Sequence, residues 1–96
     1  MADLSGFCDD RFTVVREAFA ANFAQGVDVG ASVAIYLDGE PVVDLWGGFA
    51  DRDQTVPWQQ DTIINVWSTT KTMTFVAALM LADRGELDLD APVAHY

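Results

Sequence analysis

The chain has 96 residues, enough for one small domain or part of a larger one but not for two. A composition 51% hydrophobic and 21% charged excludes a disordered chain. Fifteen acids against five bases leave a net charge of −10, which disfavours nucleic acid and anionic membrane surfaces as partners. The acids are spread along the chain and form no tail, so they read as a solvated surface. The one cysteine, Cys8, cannot close an intramolecular disulfide and falls in a start that reads as flexible. Met1 to Gly6 lacks the basic start and apolar run of a secretory signal, and no apolar run is long enough to span a bilayer. A reduced, cytoplasmic setting without membrane contact is therefore expected.

In chain order, Asp9 to Phe23 predicts an amphipathic helix. Phe12, Val15, Phe19 and Phe23 recur at three- and four-residue steps and so share one stripe, which reads as core. Asp9 and Asp10 suit its N-terminus, and Gln25-Gly26 ends it. Ala31 to Leu37 predicts a strand, Asp38-Gly39 a hairpin turn, and Pro41 to Ala50 the return strand. Gly47-Gly48 inside that strand suggests a bulge or a close backbone approach. Asp51 to Asp53 reads as a loop, and Val56-Pro57-Trp58 stays irregular because proline withholds a ladder donor.

Asp61 to Trp67 predicts a short extended piece leading into Ser68. From Ser68 to Arg84 the pattern is helical, with Gly85 as its stop. The middle of that helix is apolar nearly all round, which predicts burial on most sides. Leu87 to Val93 reads as a turn. One hairpin and one amphipathic helix cannot cover a second helix that wants burial all round. The remainder of the same domain, or a partner chain, is expected to cover its apolar faces.

Lys71 is the only lysine, and it stands three residues after Ser68. At helical spacing the two side chains share a face, so the amine can reach the hydroxyl. A serine becomes a useful nucleophile when a neighbouring base takes its proton, and lysine is such a base when neutral. Burial, a nearby cation and the positive end of a helix dipole all favour the neutral amine, and all three are available in the first turn of a buried helix. The Ser68 amide would be one donor to an oxyanion there. A second reading is open: Ser68 caps the helix and Lys71 extends to water. With three serines and one lysine, the bare pattern arises by chance in roughly 3% of such sequences, so spacing alone does not choose between them.

From Gly30 to Tyr96 the chain resembles the N-terminal part of the serine β-lactamase-like superfamily. That group includes class C β-lactamases, D-alanyl-D-alanine carboxypeptidases and family VIII carboxylesterases. The resemblance is carried by Asp38-Gly39, by Trp46-Gly47-Gly48-Phe49-Ala50-Asp51, by Asp61 to Lys71, and by Leu79 to Tyr96 with Arg84-Gly85-Glu86-Leu87 and Ala91-Pro92-Val93. It implies an α+β fold, an antiparallel sheet flanked by helices with the nucleophile's helix buried against it. The 96 residues would form the N-terminal, incomplete segment of one such domain. It also implies Ser68 as the acylated nucleophile and Lys71 as general base or proton shuttle, acting on a small-molecule ester or amide. The absence of a secretory start leans toward a carboxylesterase for short-chain esters; a β-lactamase or D-alanyl peptidase is the alternative, and a non-catalytic fragment or interaction module another. Members of the group also use a downstream Tyr-x-Asn-type loop and a late oxyanion strand, and the chain ends 28 residues after Ser68 with neither. Alone, it is expected to be inactive or nearly so. Tyr96 matches a structural tyrosine of the group, and His95 before it is expected to be exposed. No residue cluster has metal-ligand spacing and no phosphate loop appears, so no cofactor is expected.

Overall fold

A computed structural model of the chain describes residues 3–96. They form two units, one running to Ile63 and the other from Ile64 to Tyr96. The first unit is a three-stranded antiparallel sheet carrying one helix. Its strands are β1 (Leu4–Cys8), β2 (Gly30–Leu37) and β3 (Glu40–Gly48), in the order β1-β3-β2. The helix, α1, spans Thr13–Ala24.

The hairpin forms where the sequence places it. Leu37 pairs with Glu40 across Asp38-Gly39, and both turn residues have positive φ, +51° and +80°. A turn with two positive φ angles matches the twist of the strands it joins, and Asp-Gly adopts it at little cost. Pro41 stands beside a register shift at Ile35/Tyr36, where the ladder tolerates a missing donor. The close backbone approach expected at Gly47-Gly48 is also present. Gly48 has φ +78°, and a Cβ there would run into the Val29 carbonyl oxygen and lie 2.8 Å from Phe23 Cε1.

β3 is the central strand, and Val43 and Leu45 on it are fully buried. With Val42 and Phe19 they form the core, against which Phe12, Val15 and Phe23 pack. The phenylalanine stripe is thus the buried face of α1, with the Phe19 and Phe23 rings edge-to-face at 5.2 Å. Burying side chains of this size contributes roughly 1.5–3 kcal/mol each. The predicted helix opens as a 3₁₀ turn, Asp10–Phe12, capped by Asp9, whose Oδ1 accepts from Arg11 N at 2.9 Å. It closes at Gly26: Gly26 N donates to Phe23 O and Val27 N to Asn22 O, a doubly bonded C-terminal cap.

β1 corrects the reading of a flexible start. Leu4 to Cys8 pairs with Gly47 to Val43, and Cys8 is half-buried with Sγ 3.4 Å from the Phe12 carbonyl. Leu-Ser-Gly-Phe-Cys has no two-residue alternation, so this strand exists through its pairing with β3 and not through local preference.

After β3 the chain turns through a loop closed by Ala50 N to Val56 O and Trp58 N to Gly48 O. Asp51 organises that loop, accepting from the Thr55 hydroxyl at 2.6 Å, from Val56 N at 2.7 Å and from Thr55 N. Those donors, the Thr55 hydroxyl foremost, hold its carboxyl below the ordinary value. Trp58 is buried beneath the loop. Asp61 lies in a turn, and from Thr62 to Val66 the chain forms no strand and has no partner strand among the described residues.

The second unit contains a 3₁₀ turn (Trp67–Thr69), the helix α2 (Thr70–Asp83) and a C-terminal turn. α2 ends as expected at Gly85: Gly85 N donates to Ala82 O and Glu86 N to Leu81 O. None of its residues is buried, and Met73, Phe75 and Leu79 are more than half exposed. A single helix has no second layer of its own to pack against, so burial of its apolar surface needs protein beyond this unit. Tyr96 has a structural part, its hydroxyl accepting from Asp88 N at 2.7 Å, and His95 is exposed.

Candidate active site

The chain reaches Ser68 through two unusual backbone positions. Val66 lies near φ −95°, ψ 1°, and Trp67 has φ +50°, a left-handed conformation that few non-glycine residues adopt. The Trp67 N–H donates to Asn65 Oδ1 at 3.1 Å, and Thr69 N donates to Val66 O at 3.1 Å. Ser68 is therefore the middle residue of the 3₁₀ turn and not the first residue of the α-helix. Lys71 is the second residue of α2.

The turn and helix bring together the pair expected from the spacing. Lys71 Nζ donates to Ser68 Oγ at 3.1 Å. Neither end of the turn nor the start of α2 has a side-chain cap, so Ser68 Oγ engages Lys71 rather than the backbone of the helix. Both side chains are exposed in this chain. The arrangement is an alcohol within hydrogen-bond reach of an amine, at a sharp turn that opens a helix. Such a pair transfers a proton directly once the amine is neutral.

A concavity of about 660 Å³ lies in the first unit, lined by Phe23, Trp46, Phe49 and Trp58 among others. Sequence reasoning did not foresee the bond between the Trp67 N–H and Asn65. Asn two positions before an N–H it can bond is a recognisable turn pattern, but the left-handed Trp67 that makes it matter has no sequence signal.

The second unit thus presents a serine and a lysine in hydrogen-bond contact at the turn that opens its helix. The sequence profile of the Beta-lactamase family matches residues 19–96, and the chain belongs to that family. It is 50% identical over 91 residues to the esterase/beta-lactamase LipL of Mycobacterium tuberculosis, a match covering 95% of this chain and 21% of LipL. It is 41% identical over 73 residues to the human mitochondrial serine beta-lactamase-like protein LACTB, covering 76% of this chain and 13% of LACTB. The crystal structure of a family VIII carboxylesterase superposes with a TM-score of 0.93 at 52% identity, covering 98% of this chain and 26% of that one. The small sheet and its helices thus match the N-terminal part of that α+β fold. The chain spans about a fifth of LipL and a quarter of the carboxylesterase. Among the described residues, no helix is long and apolar enough to cross a membrane.

Proposed function

We propose that this chain carries the nucleophile of a serine hydrolase that works through an acyl-enzyme at Ser68, and that its substrates are short-chain carboxylic esters. The observation that carries the reading is the 3.1 Å contact between Lys71 Nζ and Ser68 Oγ. In the reaction, Ser68 Oγ attacks the ester carbonyl carbon while its proton passes to the neutral Lys71 amine. The Ser68 amide is one donor to the resulting oxyanion. The tetrahedral intermediate collapses, the alkoxide leaves with the proton from Lys71, and the acyl group remains on Oγ. Water then attacks the acyl carbon, releasing the acid and restoring the serine.

A lysine does this work in its neutral form, which burial favours. The proposal therefore includes a cover for the exposed apolar residues of α2, supplied by more of the same domain or by a partner chain. The chain's span of about a quarter of the carboxylesterase supports the first of these. It also includes a reducing, cytoplasmic setting, in which the half-buried Cys8 persists as a thiol. The similarity to a family VIII carboxylesterase supports the ester as substrate.

The test is hydrolysis of a short p-nitrophenyl ester by the intact protein and by its Ser68→Ala variant. Turnover should vanish in the variant; equal turnover in both would sink the assignment. A β-lactam substrate is the second reading, favoured by the name of LipL. Rapid turnover of a chromogenic cephalosporin with none on esters would replace the first reading with the second. Absence of any covalent adduct at Ser68 in the intact protein would leave a non-catalytic module.

A further inference from the structure

We infer that Asn65 is a positioning residue for Ser68, acting through the left-handed backbone of Trp67; this deepens the nucleophile assignment and rests on it. Trp67 has φ +50°, although an L-residue with a bulky side chain is disfavoured there by about tenfold or more. Trp67 is 79% exposed, so no packing of its side chain within this chain holds it there. Its N–H is met by the Asn65 side chain, with Oδ1 accepting at 3.1 Å, while its carbonyl accepts from the Thr70 N–H. The adjoining Thr69 N to Val66 O bond closes the same turn from the other side.

The consequence falls on the next residue. Returning Trp67 to a negative φ turns the chain about its N–Cα bond by on the order of 100°, which re-aims Ser68 relative to Asn65 and Val66. The Ser68–Lys71 contact would survive that change, because it is set within the 3₁₀ turn and the first residues of α2. Asn65 thus controls where the nucleophile points and not whether its base is in reach. Loss of the Asn65 oxygen should lower the acylation rate while leaving its pH dependence alone.

The experiment is covalent labelling of the intact protein by a fluorophosphonate, with the second-order rate at Ser68 read across pH by intact mass. Asn65→Ala should slow labelling about tenfold with an unchanged pH profile. Asn65→Asp keeps the acceptor oxygen and should stay within about threefold of wild type, which guards against a fold defect in the alanine variant. In a Trp67→Gly background, where the left-handed conformation carries no Cβ penalty, Asn65→Ala should have no further effect. Wild-type labelling in Asn65→Ala, or equal slowing in the Trp67→Gly background, would overturn the inference. A wild-type protein that does not label at Ser68 would instead overturn the nucleophile assignment beneath it.

Discussion

Lys71→Arg separates a base from a positive charge. Arginine keeps the charge and nearly the length of lysine, but its guanidinium does not lose its proton in a protein. If Lys71 takes the Ser68 proton, arginine fails as alanine does. If Lys71 supplies only charge or extends to water, arginine substitutes well. The structure sets the expected magnitudes. Lys71 is exposed, and its side chain's hydrogen bond is to Ser68 Oγ. Removing it takes away that one hydrogen bond, so stability should fall by about 1 kcal/mol. Loss of a general base at 3.1 Å should lower acylation by about 10² to 10⁴, equivalent to roughly 2.7–5.5 kcal/mol of barrier. The assay is single-turnover acylation of the intact protein by a p-nitrophenyl ester, beside urea unfolding of the same variants. Lys71→Arg acylating within about tenfold of wild type would refute the proton-transfer argument, and so would a large stability loss accounting for the rate.

Two further outcomes follow from the first unit. Gly48→Ala combines a left-handed φ with a collision against the Val29 carbonyl, whereas Gly26→Ala has a similar φ of +69° and open space around the new methyl. The urea midpoint should therefore fall clearly further for Gly48→Ala, by at least about 2 kcal/mol against about 1 kcal/mol; equal losses would contradict the close-approach account. Asp51 has its carboxyl held below the ordinary 3.8 by the Thr55 hydroxyl and the Val56 and Thr55 amides. A lowered folded value stabilises above 3.8 and loses that contribution as pH falls through the folded value. Asp51→Ala should therefore be less stable than wild type at neutral pH, and the two should converge in strong acid. A difference that persists there would mean the loop bonds do not depend on the carboxylate.

Local chemistry made much of this chain legible in advance. Asp38-Gly39 specifies its turn because those two residues tolerate positive φ, and the phenylalanines of α1 mark a core face through the helical repeat alone. Gly26 and Gly85 end their helices through bonds that close within six residues, and the Ser68–Lys71 contact depends only on a spacing of three. Each of these is decided by residues close together in sequence. Tertiary structure decided the rest. β1 becomes a strand because β3 offers it a ladder, not because Leu-Ser-Gly-Phe-Cys prefers one. Asp51 acquires its role when the loop brings Thr55 and Val56 onto its carboxylate. Trp67 adopts a conformation that its own propensities oppose, held by the Asn65 oxygen and the closing Thr69 bond, and that turn settles where Ser68 points. Sequence spacing determines that a hydroxyl and an amine can meet; the direction they face is a backbone angle that local preference would have set otherwise.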